Sequence, residues 1–249
     1  MKKFFVFFLA LSLPASFALA EDEGLGLSFG LEFGVGNMNK ANSEDRNPRL
    51  TPRIIYQNSF LDDALELYTE LDYTFGYNKV PNDDGDEVYP QSLYFDFMLG
   101  YNLLDPKSAS ALSIILENEF DEFIISPRLK ETNRVTGVFT PALKFSQEFD
   151  AGVLYTQAGV PITYIQYDKD ADTEAGFSFI LGWESTFGLC MEVKTVIPKK
   201  INDTGVVITP EIAYDLQDFT FYVKCEFAGI GADEEDVSIS PALGVKYRF

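Results

Sequence analysis

The sequence predicts an all-β fold: an antiparallel, transmembrane up-and-down β-barrel of about twelve strands, with ten or fourteen as the neighbouring counts. Three observations predict it. Segment after segment alternates apolar with polar or small residues, the period-2 signature of a strand with one greasy face. The connections between these segments alternate between short and long. The chain is also 46% hydrophobic and 15% aromatic, yet has no run long enough for a membrane helix. That is expected where a lipid-facing surface is written in alternation.

The chain opens on Lys2 and Lys3, an apolar run from Phe4 to Leu13, and a segment from Pro14 to Ala20 that ends in Ala-Leu-Ala. A charged start, a short greasy core and small residues at the cut are the layout of a secretory signal peptide, with cleavage expected after Ala20. The run falls well short of the ~20 residues that span a bilayer. Residues 1–20 are therefore read as the signal peptide and 21–249 as the barrel domain. Taking Lys2 and Lys3 from the 19 basic residues leaves 17 against 39 acidic ones, a mature net charge of −22. So acidic a surface argues against nucleic acid or anionic lipid as partners.

The first strand is the clearest, with Leu25, Leu27, Phe29, Leu31, Phe33 and Val35 against Gly26, Ser28, Gly30, Glu32, Gly34 and Gly36. A second runs from Leu50 to Gln57. The third sets Leu65, Leu67, Leu71, Tyr73 and Phe75 against Glu66, Tyr68, Glu70, Asp72 and Thr74. The fourth spans Ser92 to Leu103 and the fifth Ser110 to Ile125. Then follow Val135–Phe145, Gly152–Tyr164, Phe177–Trp183, Leu189–Val196, Val206–Tyr214, Phe219–Phe227 and Val237–Phe249. Long polar connections follow the odd strands. Tight ones follow the even strands, at Asn58–Asp63, Asp105–Ala109, Ser146–Asp150, Ser185–Gly188 and Asp215–Asp218. Transmembrane barrels have this asymmetry of turns and loops.

Pro52, Pro141, Pro210 and Pro241 each follow a Thr or Ser early in a strand. Proline removes a ladder donor, so local bulges are expected there. Cys190 and Cys225 fall on opposite faces of non-neighbouring strands, a geometry that predicts two free thiols. Tyr56, Tyr101, Trp183, Tyr214, Tyr247 and Phe249 at the tight-turn end, and Tyr73, Phe75, Tyr77, Tyr89 and Tyr164 at the loop end, read as interfacial girdles.

The last strand places Val237, Ile239, Pro241, Leu243, Val245, Tyr247 and Phe249 on one face and Lys246 and Arg248 on the other. Ending in Tyr-x-Phe, it resembles the closing strand of bacterial outer-membrane β-barrels, and the chain looks most like small porins. The resemblance implies an outer-membrane location and a lipid bilayer as partner. It also implies barrel-assembly machinery that reads Val245, Tyr247 and Phe249, and passive channel activity for small solutes without a cofactor.

The inner wall is where chemistry could live. Parity places Glu32, Glu66, Glu70, Asp72, Asp96, Glu117, Glu119, Glu184, Glu192, Glu211 and Glu226 there, with Arg53, Lys144, Lys194, Lys224, Lys246 and Arg248 as cations. The surplus of acids predicts either a cation-favouring, water-filled pore or a bore packed by cross-strand charge pairs. The first reading is a porin-like channel for small hydrophilic solutes or cations. The second is a structural or adhesive barrel that transports nothing. The chain has no histidine, which excludes Ser/His and Cys/His nucleophiles and histidine–cysteine zinc sites. The outer-membrane barrel enzymes of the resembled family rely on histidine, so no enzymatic activity is expected. Asp168, Asp170 and Asp172 echo the start of a calcium loop, but Thr173 replaces the turn glycine, leaving a weak divalent-cation candidate.

Overall fold

The computed structural model describes residues 26–249, apart from residues 37, 39–46, 82–86, 90, 106–107, 124–134, 167–172 and 234–236. The expected signal peptide, the Asp168–Asp172 loop and most of the other acidic loop residues lie outside the described residues. Twelve strands form one antiparallel sheet: β1 Leu27–Val35, β2 Pro48–Phe60, β3 Leu65–Gly76, β4 Gln91–Asn102, β5 Ser110–Phe123 and β6 Val135–Phe149. Strand β7 comes in two segments, Gly152–Gly159 and Ile162–Gln166. It is followed by β8 Glu174–Ser185, β9 Leu189–Pro198, β10 Val206–Leu216, β11 Phe219–Ile230 and β12 Ser238–Arg248. Each strand pairs with the next, and β12 returns to β1 through Phe29 opposite Tyr247 and Leu31 opposite Val245. The sheet is closed.

Closure explains how so much apolar side chain can face outward. Phe29, Leu31 and Phe33 of β1, Phe221 and Val223 of β11 and Leu243 of β12 are all exposed. Their alternation partners Gly30 and Glu32 are buried. A dry outer wall and a polar interior invert the arrangement of a water-soluble domain, and a bilayer is the solvent that rewards it. The enclosed apolar core is small. Ile115 is fully buried and lies over Gly100 and the Glu66 stem, with Ala142, Ala213 and Ala242 elsewhere on the inner wall. More polar and charged residues than apolar ones are buried among those described.

The tight turns join β2–β3, β4–β5, β6–β7, β8–β9 and β10–β11, as the alternation of connection lengths predicts. The β6–β7 turn sits later than expected. Strand β6 runs through the predicted turn to Phe149, which pairs with Gly152, leaving a two-residue hairpin at Asp150 and Ala151. Gln217 makes the β10–β11 turn at φ 56, and Leu61, Asp62 and Asp63 in the β2–β3 turn also have positive φ.

The expected bulges are absent at Pro52, Pro141 and Pro241. Pro52 pairs in unbroken register with Leu31, Pro141 with Leu116, Pro210 with Val193 and Pro241 with Cys225. On the other side of each proline the ladder skips. Thr51 and Pro52 have no ladder pairing to β3, and Thr140 and Pro141 face the break at Val160–Pro161 in β7. Thr209 and Pro210 are likewise skipped towards β11, and pairing of β12 to β1 stops at Ala242. A missing N–H leaves one neighbour without its bond while the facing neighbour loses nothing, so a gap needs no extra residue. Of the two register shifts, one lies between Leu93 and Phe95, away from these prolines, and the other between Val206 and Ile208, directly beside the Thr209–Pro210 skip. Cys190 and Cys225 are free thiols on β9 and β11, with β10 between them.

Aromatic contacts gather at the tight-turn end: Tyr247 lies 5.0 Å from Phe219 and 4.9 Å from Phe249, ring centre to ring centre. Tyr56 departs from the expected girdle. It is only 5% exposed, and its hydroxyl accepts a hydrogen bond from Asn58 Nδ2 at 3.3 Å.

Candidate functional site in the bore

Eight-stranded barrels fill with side chains, and sixteen strands leave an aqueous channel. At twelve strands the inward side chains decide. The first feature they build is a set of large residues laid flat along the wall. Tyr155 lies opposite Gly182, Tyr222 opposite Gly244 and Arg53 opposite Gly30. A Cβ added at any of these glycines would overlap the side chain facing it. Gly30 on β1 thus makes room for a neighbour's side chain. Gly244→Ala is expected to push Tyr222 off the wall and lower stability by about 1–3 kcal/mol, read by urea unfolding of the refolded barrel. An unchanged midpoint would mean the ring is not seated there.

Around Arg53 the wall is densely charged. Its guanidinium reaches Glu32 at 3.1 Å, Glu70 at 3.2 Å and Asp72 at 3.0 Å, and Arg53 is 6% exposed. Lys224, two strands away from β1, adds a second cation to Glu32 at 2.8 Å. Tyr222 donates to the same Glu32 oxygen at 2.9 Å, and Tyr68 donates to Glu70. The Arg53 guanidinium also stands 5.7 Å from the centre of the Tyr222 ring.

The second network crosses the bore. Lys194 on β9 meets Glu119 on β5 at 3.0 Å, though three strands separate them along the wall. Glu70, Asp96 and Glu119 stand directly side by side on β3, β4 and β5. Like charges facing each other on neighbouring strands repel, and the row is clamped by Arg53 at the Glu70 end and Lys194 at the Glu119 end. Asp96, in the middle, is 6% exposed, and its Oδ1 has no hydrogen-bond partner among the described residues.

The remaining predicted wall residues are more scattered. Glu192 accepts from Tyr155 at 2.6 Å, and Lys144 lies 5.2 Å from the centre of that ring. Glu117 borders the same cavity as Lys194, while Glu211 stands opposite both Glu192 and Lys224. Glu66 accepts from Gln57 at 3.2 Å. Glu184 and Glu226 are exposed, one near each end of the bore. Lys246 and Arg248 border a cavity at the tight-turn end. Sequence reasoning missed Tyr155 and Tyr222, because tyrosine scores as apolar; their even spacing from Gln157 and Lys224 was the available signal. Among the described residues no three Cys, Asp or Glu side chains are set to hold a metal ion.

Two cavities flank the charged middle. One of about 450 Å³ opens among Gly26, Gln57, Tyr68, Thr220 and Lys246 at the tight-turn end. The other, about 180 Å³, lies among Glu117, Gln157, Thr163, Glu174 and Lys194 towards the loop end.

No family model matches the sequence, and no curated protein is similar to it. Solved structures are. The chain resembles an outer membrane channel from Pseudomonas putida F1 with a TM-score of 0.55 and 11% identity, over 92% of this chain and 97% of that one. It resembles outer membrane phospholipase A from Escherichia coli with a TM-score of 0.50 and 9% identity, over 95% and 96%. The calcium-bound dimer of the Salmonella typhi outer membrane phospholipase gives 0.51 and 10%, over 95% and 97%. Identities this low speak for architecture and not for activity. In fold, the chain is a closed antiparallel β-barrel of twelve strands, similar to these bacterial outer-membrane proteins.

Proposed function

We propose that the protein is a narrow channel of the outer membrane, passing small hydrophilic solutes, cations foremost, by diffusion. On this reading residues 1–20 direct export and are removed after Ala20, and the Val245–Phe249 strand end is read by the barrel-assembly machinery. The observation that carries it is the row Glu70–Asp96–Glu119 on the bore wall, with cations only at its two ends. Rings and rows of carboxylates favour cation entry. The name of the Pseudomonas putida channel agrees with a conducting barrel; the phospholipase name belongs to proteins that share only this architecture.

Planar-bilayer recording tests the proposal. Small unitary currents and a reversal potential set by the cation are expected under a salt gradient; anion preference overturns the acidic-bore reading. One observation favours the structural or adhesive reading, namely the Lys194–Glu119 pair that spans the bore. Lys194→Gln cuts that strut and is expected to raise the unitary conductance. Silence from both the native protein and the variant would leave the non-transporting barrel.

A further inference from the structure

The larger cavity is chemically unlike the rest of the bore. In a chain of formal net charge −20, it is bordered by Lys246 and Arg248, by no Asp or Glu side chain, and by Phe249, whose terminal carboxylate is the acid of its lining. Neither cation forms an ion pair among the described residues. Elsewhere on the wall Arg53, Lys194 and Lys224 are each held by carboxylates, and Lys144 lies against the Tyr155 ring. Lys246 instead rests 5.0 Å from the centre of the Tyr222 ring. Around the two cations stand Gln57, whose amide donates to Glu66 at 3.2 Å, and Thr220, whose hydroxyl donates to Asp215, with Ile55 and the ring of Tyr68 as apolar walls. About 450 Å³ with mixed walls and a few convergent polar groups is the size and make-up of a small-molecule pocket.

We propose that this vestibule binds a small organic anion. A carboxylate or phosphate head sits between Lys246 and Arg248, and a compact apolar body lies against Ile55 and Tyr68. Charge-assisted bonds from ammonium and guanidinium provide the recognition. The site does not depend on whether the bore conducts, since it opens at the tight-turn end, on the near side of the Arg53 network.

The test is calorimetric titration of the refolded mature barrel with phenyl phosphate at low salt. A maltoside detergent is used, so that no lipid or detergent phosphate competes. Saturable one-to-one binding is expected, with benzyl alcohol giving none and inorganic phosphate binding more weakly. The K246Q/R248Q pair is expected to weaken binding by roughly tenfold or more. Gln57→Glu, which adds a carboxylate to the vestibule away from the terminal strand, should do the same and decides the matter if the pair fails to fold. Equal binding of benzyl alcohol, equal binding of inorganic phosphate, no saturable binding, or unchanged affinity in a folded variant would each overturn the proposal.

Discussion

Arg53→Ala is expected to lower the unfolding free energy by about 3–5 kcal/mol, the cost of leaving buried charge without its partner. Three carboxylates lie within 3.2 Å of its guanidinium, and Lys224 supports only Glu32. Glu70 and Asp72 would then face each other along β3, with no other described cation within ion-pair distance. The network as a whole need not be a large net stabiliser, because its desolvation offsets much of its attraction. Breaking it from one side is what costs. Adding Glu70→Gln and Asp72→Asn to Arg53→Ala should therefore recover part of the loss, a non-additivity that a mutant cycle isolates. Urea titration of the refolded barrel, followed by circular dichroism, reads both. A single-variant loss below about 1 kcal/mol would mean that water already screens the cluster.

Leu243→Arg is the second large effect, at about 2–4 kcal/mol for a cation placed on the lipid face near mid-strand. Leu243 is 58% exposed and sits between Phe33 and Val223, which also face outward. In a water-soluble protein the same change at an exposed position would be close to neutral. Ile201→Arg, in the short helix Ile201–Thr204 at the loop end, is the control and is expected within about 0.5 kcal/mol of the native chain. Unfolding from phosphatidylcholine vesicles measures both. Equal stability of Leu243→Arg and the native protein would remove the bilayer from the argument.

Much of this was legible before any coordinates. The period of two in segments such as Phe29 to Val35 states both the strand and its dry face, because successive side chains must point to opposite sides. The alternation of tight and long connections states the up-and-down order, since a short link can join only antiparallel neighbours. The prolines were misread because a bulge and a one-sided gap leave the same trace in sequence. Which of the two occurs depends on the direction in which the missing N–H would have pointed, and that is a property of the paired sheet.

By itself, then, the sequence determined most of the inward-facing residues, a count of about twelve strands and their order, because those follow from local periodicity. It did not determine who meets whom. That Lys194 reaches Glu119 across the bore, that Tyr222 lies on Gly244 and reaches Glu32, and that Lys246 and Arg248 border one cavity were decided only in the closed barrel. Strand tilt and stagger bring residues far apart in the chain to one height on the wall. Charges attract or repel according to that three-dimensional distance, which no period along the chain records.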